Sequence, residues 1–363
     1  MFALLLGAAP RPALAQSDLQ ELPVGQFVIL YPAAHAAEAT LFAGRHGQAI
    51  NNFYAEFQLL YGHAPPPPVN IRFYSDAEAF AGLNALAPQL GNGVFHAHSG
   101  AREVALIAPF PLDLFTSDSI LNVIRNELNG LFLSRLSEGG LPPGLELGLN
   151  QYVEHPGPQT QTSRDLLDAA QVNGLLLPWN RLLDGPWVYI DREVAYPQSL
   201  SVAAFLIDSY GFGKLIEFVR AVPKAGGYRA ALAQTYGRPL DRLEQDWLAY
   251  LPDYLTTRWQ VNALFNYDLA PFQSALDAGA YTQVLRGLDY VIPFLQATGQ
   301  TEKAAQAQTL YLIAAQGTQA GELTKAARDA LLVGEYALAL NFADQARAAY
   351  DVLGDTSRFE EIE

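Results

Sequence analysis

Few residues in this chain have types and spacings suited to chemistry. Glu127 lies in an apolar-periodic run, at the margin of the stripe formed by Ile120, Val123, Ile124, Leu128 and Leu131, which predicts a half-buried carboxylate on a helix. His96 and His98 form an H-x-H on a β-rich stretch, where alternate residues share a face and two imidazoles can reach one ion. His155 and Glu146 are further candidate donors. The absence of Cys excludes thiolate nucleophiles, thiolate metal sites and disulfides. No phosphate-binding glycine loop is present: Gly211-Phe212-Gly213-Lys214 lacks the preceding strand that such a loop requires. Asp184 to Trp187 and the aromatic run Tyr189 to Tyr196 read as a loop whose rings suit a peptide or glycan, or simple packing.

The elements that must position these groups follow from periodicity and punctuation. Phe27 to Tyr31 is β-rich, and the segment from about Ala36 to Tyr61 repeats apolar residues at helical spacing until Gly62 and a run of prolines stop it. Val69 to Tyr74 alternates as a half-buried strand, and Val94 to Ala108 holds a further β-rich run. After Pro111 the β signal fades. Thr116 to Ser119 offers capping side chains to a helix running to about Leu136, and helices are predicted over Ser199 to Tyr210, Lys214 to Val222, Tyr228 to Tyr236 and Leu240 to Leu251.

Two stretches carry a resemblance: Ile124 to Leu131 (IRNELNGL) and Leu141 to Tyr152 (LPPGLELGLNQY). Their placement is similar to that in the peptidase MA-like proteins, gluzincin-type zinc metallopeptidases. There one helix carries His-Glu-x-x-His, and a second segment, roughly Leu-Pro-x-Trp-Leu-x-Glu-Gly-Leu-Ala-x-Tyr, supplies the third ligand. Tyr196 to Ser199 and the run from Ala231 to Trp247 resemble that family's helical tail, so the likeness covers about residues 25 to 252. The resemblance implies an α+β, zincin-like fold and puts Glu127 at the general-base position. It also puts Asn126, Gly130 and Leu147 at the three ligand positions, and none of these is a zinc ligand of the family type. Gly144 stands where the family has Trp. Glu146 points about 100° around its helix from the third-ligand direction and is expected to be a solvent-facing carboxylate. Glu146, Tyr152 and Tyr196 are the candidate cleft residues.

With 363 residues, half of them apolar and 16% charged, the chain can bury large cores. A net charge of −15 without a basic stretch argues against nucleic acid and anionic membranes as partners. Met1 to Ala9 is too short an apolar run to span a bilayer, and Ala13-Leu14-Ala15 has the small-x-small pattern of an export signal. Beyond Trp259 the composition shifts to Ala, Gln and Leu. There Ala275-Leu276, Gly279, Tyr281, Leu285, Asp289, Gly299 and Thr301 recur 55 positions later as Ala330-Leu331, Gly334, Tyr336, Leu340, Asp344, Gly354 and Thr356. This resembles a tetratricopeptide-style helix pair, though its period is longer.

The expected organisation is a signal peptide (1–15), an α/β subdomain (16–110), a helical subdomain (111–254) and a carboxy-terminal helical-repeat-like domain (255–363). Three functions compete. The first is an extracytoplasmic, zinc-free pseudopeptidase that binds a peptide or protein, with no cofactor and no transmembrane segment. The second is an active peptidase, through a rebuilt non-standard metal site for which His96, His98, His155 and Glu146 are the candidate donors, or through a metal-free route centred on Glu127. The third is a structural scaffold.

Overall fold

A computed structural model describes residues 19–75, 95–98, 103–107, 119–184 and 192–363. The proposed signal peptide, the Thr116 to Asp118 cap and the 185–191 loop lie outside the described residues. The chain divides into two compact units, residues 1–260 and 261–363.

The first unit begins with strands β1 (Leu19–Val24) and β2 (Phe27–Pro32), helix α1 (Ala36–Tyr61) and strands β3 (Val69–Tyr74), β4 (Phe95–His98) and β5 (Glu103–Ile107). The sheet order is β1-β2-β3-β5-β4, with β2, β3 and β5 parallel and the two outer strands antiparallel to their neighbours. Gly25, at φ +63°, turns the β1–β2 hairpin, and Asn51 of α1 closes that turn by accepting from the Gln26 amide and donating to the Val24 carbonyl. The alternation of FVILYP puts Phe27 and Ile29 in the core beneath Phe42, Ile50 and Phe57 of α1. Gly62, left-handed at φ +59°, ends α1.

Helices α2 (Ser119–Leu136) and α3 (Pro143–Tyr152) follow, then α4 (Pro158–Val172), α5 (Trp179–Asp184), α6 (Arg192–Tyr210), α7 (Phe212–Ala221), α8 (Tyr228–Tyr236) and α9 (Leu240–Thr256). Phe132 of α2 packs edge-on against Tyr54 and Phe57 of α1, at centroid distances of 5.4 and 5.6 Å, and this joins the helical half to the sheet half. The proposed aromatic loop is corrected in part: Arg192 to Tyr196 belong to α6, which begins seven residues before the predicted start at Ser199. The helix extends because Val194 and Ala195 are buried, and that burial outweighs the backbone bond that Pro197, the sixth residue of the helix, cannot make.

Two glycines set how closely α3 packs. A Cβ on Gly148 would stand 2.1 Å from the Ser199 carbonyl oxygen of α6, and one on Gly144 would stand 2.3 Å from the Leu182 carbonyl oxygen of α5. Both contacts are with backbone, so relief requires a helix to move. The Gly144 contact leaves no room for a bulky side chain, since α5 occupies that space.

The second unit consists of α10 (Ala270–Asp277), α11 (Tyr281–Ala297), α12 (Thr301–Leu332), α13 (Tyr336–Leu353) and the short α14 (Phe359–Ile362). The repeated glycines have one structural role. Gly279 and Gly334 take φ +70° and +82° just before the helices that start at Tyr281 and Tyr336, and Gly299 and Gly354 take +71° and +70° after those helices end.

Gly148→Ala should lower the melting temperature of the first unit by roughly 4–10 °C, the equivalent of about 1–3 kcal/mol of overpacking, as read by calorimetry. The exposed Gly44→Ala, where a Cβ meets nothing within 4 Å, should leave it unchanged or raise it.

Candidate functional site

The site lies where α2 faces α3. Helix α3 starts cleanly because Pro143 holds the first helical position, where its missing N–H goes unused. Helix α2 buries Ile120, Ile124, Leu128 and Leu131, and turns a row of polar residues toward the end of α3.

Arg125 is the anchor of that row, at 1% exposure. It donates to both carboxylate oxygens of Glu56 on α1, one at 2.7 Å, and through Nε to the Val153 carbonyl just past α3. The guanidinium lies 5.0 Å from the ring centroids of both Phe53 and Phe57. One turn on, Asn129 accepts from the Tyr61 hydroxyl and donates to Asn150 Oδ1 at 2.8 Å and the Leu149 carbonyl at 3.4 Å. Asn122 makes a reciprocal pair with the backbone of His155, accepting its N–H at 2.8 Å and donating to its carbonyl at 3.1 Å. Asn126 donates to Glu154 Oε1 at 2.5 Å. Asn122, Arg125, Asn126 and Asn129 thus clamp α2 onto residues 149–155.

These contacts bear on the three positions that the resemblance matches to metal ligands. The Asn126 side-chain amide is spent on Glu154, Gly130 is buried and has no side chain, and Leu147 is half-buried without a donor atom. The residues present do not fit a zinc ion. Among the described residues no group of three or more His, Asp or Glu is placed to hold a metal. His96 and His98 do lie on a strand, β4, but their side chains are outside the described residues.

Glu127 is half-buried, as its place at the stripe margin predicts. Beside it, Asn126 offers its amide to Glu154 and Arg125 pairs with Glu56. Glu146 differs from expectation. It is half-buried, and burial pushes its carboxyl up to about 7. Glu154 is raised to about 7 for the same reason, with the Asn126 hydrogen bond opposing the rise. Burial pulls the His155 imidazole below its ordinary value. Tyr152 is 2% exposed and offers no open surface, whereas Tyr196 is half-buried and its carbonyl accepts from Gln151 Nε2 at 3.2 Å.

The residues that sequence reasoning missed are Glu154, Asn122 and Asn129. For the two asparagines the signal is the i, i+3, i+4 and i+7 recurrence of polar residues (122, 125, 126, 129) within an otherwise apolar helix; Glu154 carries no such signal.

The raised carboxyls carry a pH signature. A carboxyl with a folded pKa near 7 against an ordinary 4.5 binds its proton more tightly in the folded chain, so its stabilising effect is complete below about pH 4.5 and lost as pH rises through 7. The first unit should therefore melt at a higher temperature at pH 5.5 than at pH 8, and Glu146→Gln should flatten that difference by raising the pH 8 value. Arg125→Met, which strands Glu56, should cost about 3–5 kcal/mol in a denaturant melt.

No curated protein matches the chain. A family model described as the Peptidase MA superfamily matches residues 52–253, a span that runs from the middle of α1 into α9 and contains the whole α2–α3 site. The polar clamp, the glycine contacts of α3 and the helices behind them all fall inside this match, and the chain belongs to the Peptidase MA superfamily.

Proposed function

We propose that this chain is a zinc-free member of the superfamily that binds a peptide or protein without hydrolysing it. The observation that carries the reading is the Asn126–Glu154 hydrogen bond. It puts a structural link where the family's first metal ligand would stand, beside ligand positions filled by Gly130 and Leu147. Glu127 keeps the general-base position without a metal-bound water to act on. What supports binding is the frame: Pro142, Gly148 and the polar clamp keep α3 in place, and Glu146 and Tyr196 stay half-buried beside it with polar groups to offer. A half-buried carboxyl near pKa 7 can donate a hydrogen bond to a peptide carbonyl when protonated and accept one from a peptide amide when ionised.

The second unit fits the same role. Its glycine-bounded helices support a tetratricopeptide-like reading, in which stacked helix pairs present a surface to a partner. The apolar run from Met1 and the Ala13-Leu14-Ala15 pattern support export, with Gln16 as the mature amino terminus. Among the described residues no helix is long and apolar enough to cross a membrane.

Plasma mass spectrometry on zinc-equilibrated, chelator-free protein should find essentially no zinc per chain. The triple variant Asn126→His, Gly130→His, Leu147→Glu should hold close to one, because the frame that once presented the ligands is intact. Casein peptides incubated with the wild-type chain should be retained and recovered uncut, with retention weakened by Tyr196→Ala. One tightly held zinc in the wild-type chain, with chelator-sensitive cleavage lost in Glu127→Gln, would overturn the proposal.

A further inference from the structure

The chain holds three Asn-Gly pairs: Asn92-Gly93, Asn129-Gly130 and Asn173-Gly174. Such a pair has a chemistry of its own, because glycine has no Cβ to keep its backbone nitrogen away from the preceding carboxamide. The first pair lies outside the described residues, and the other two stand in opposite surroundings. Asn129 is fully buried, with its carboxamide engaged by Tyr61, Asn150 and Leu149. Gly130 is buried in the interior of α2, where its N–H belongs to the helical ladder.

Asn173 and Gly174 are exposed at the carboxy-terminal end of α4. Gly174 takes a left-handed φ of +66°, and a Cβ built on it would meet nothing within 4 Å, so the space beside its nitrogen is open. Val172 and Leu175 on either side are 79% and 57% exposed, so side-chain packing does not hold this turn shut. The reacting groups are restrained by two hydrogen bonds: Asn173 Nδ2 donates to the Ala169 carbonyl at 2.7 Å, and the Gly174 N–H donates to the Gln171 carbonyl at 3.2 Å. Both belong to a helix's last turn, which frays, and one local opening releases them together. That opening is bounded at Leu177, whose N–H and carbonyl are both held by the buried Gln198 side chain, at 2.9 and 2.6 Å.

We propose that Asn173 is a site of spontaneous conversion to isoaspartate, through a succinimide closed by the Gly174 nitrogen. The Gly174 N–H gives its proton to hydroxide, and the nitrogen attacks Asn173 Cγ. A bond from the Gly174 nitrogen to Cγ forms, the bond from Cγ to Nδ2 breaks, and the amide nitrogen leaves as ammonia with a proton from solvent. Water then adds to either carbonyl of the ring, giving aspartate or isoaspartate, so that one water is consumed for each ammonia released. The product reinforces the opening. A carboxylate has no N–H for the Ala169 carbonyl, and it places a negative charge at the end of α4 where the helix dipole disfavours one.

The test incubates the full chain at pH 8.5 and 37 °C and follows the tryptic peptides 165–181 and 126–135 by tandem mass spectrometry, with ammonia measured in parallel. Asn173 should lose its amide at least tenfold faster than Asn129, with isoaspartate the main product, an equal release of ammonia, and a slower reaction at pH 6. In concentrated urea the two asparagines should react at similar rates, because only the fold separates them. The proposal fails if Asn173 keeps its amide over a period in which the urea-unfolded chain loses it. It fails equally if Asn129 reacts as fast as Asn173 in the folded chain, or if the product at Asn173 is aspartate alone, since direct hydrolysis forms no isoaspartate.

Discussion

The first unit depends on one buried cation. A guanidinium brought out of water must have its donors satisfied and its charge matched, or it destabilises the fold by several kcal/mol. Arg125 meets this demand with partners from three parts of the chain: the Glu56 carboxylate on α1, the Val153 carbonyl past α3, and the faces of Phe53 and Phe57. Satisfying Arg125 therefore fixes α1, α2 and the end of α3 relative to one another in a single step. Phe132 and Tyr54 add apolar area at the same junction, but apolar contact tolerates sliding that a forked donor does not.

That constraint explains how the α2–α3 junction holds its shape through side chains alone. In a three-ligand zinc site the ion itself ties two helices together. Here the tie is made by side chains: Asn122 to His155, Arg125 to Val153, Asn126 to Glu154 and Asn129 to Asn150. The Asn126 amide reaches across to the Glu154 carboxylate that trails α3. The two raised carboxyls reflect the same burial. A carboxylate enclosed between helices without a cation gains more from a proton than one in water, and burial is what raises Glu146.

What the sequence made legible is what local physics decides. The limits of α1 and α8 are readable because left-handed glycines, Gly62 and Gly237, end them, and the apolar stripe of α2 predicts which of its faces is buried. Strand β1 was not legible: LQELPV is a mostly exposed edge strand held by its neighbour, so it lacks the alternation that marks a strand with one buried face. The early start of α6 and the burial of Glu146 were missed for a related reason. Each depends on which distant segment packs there, and helical periodicity carries no record of that partner. The resemblance drew attention to Asn126, Gly130 and Leu147, yet the role of Glu154 could not be read from the sequence, because it is set by the fold that brings residue 154 back to residue 126.

The second unit shows the converse, local signals that recur and specify the same geometry twice. Gly279 and Gly334 reverse the chain in the same left-handed conformation, and the tyrosines two residues later start helices of similar length. Identical turns do not produce identical burial, because burial depends on what the next helix supplies. Leu288, wholly buried under α12, corresponds to Ala343, and Tyr281, enclosed by Gly317, corresponds to the exposed Tyr336. The turn residues repeat because backbone conformation demands them. The residues between them diverge with the contacts they make, so the faint sequence repeat is what remains when the backbone is held constant and the packing is not.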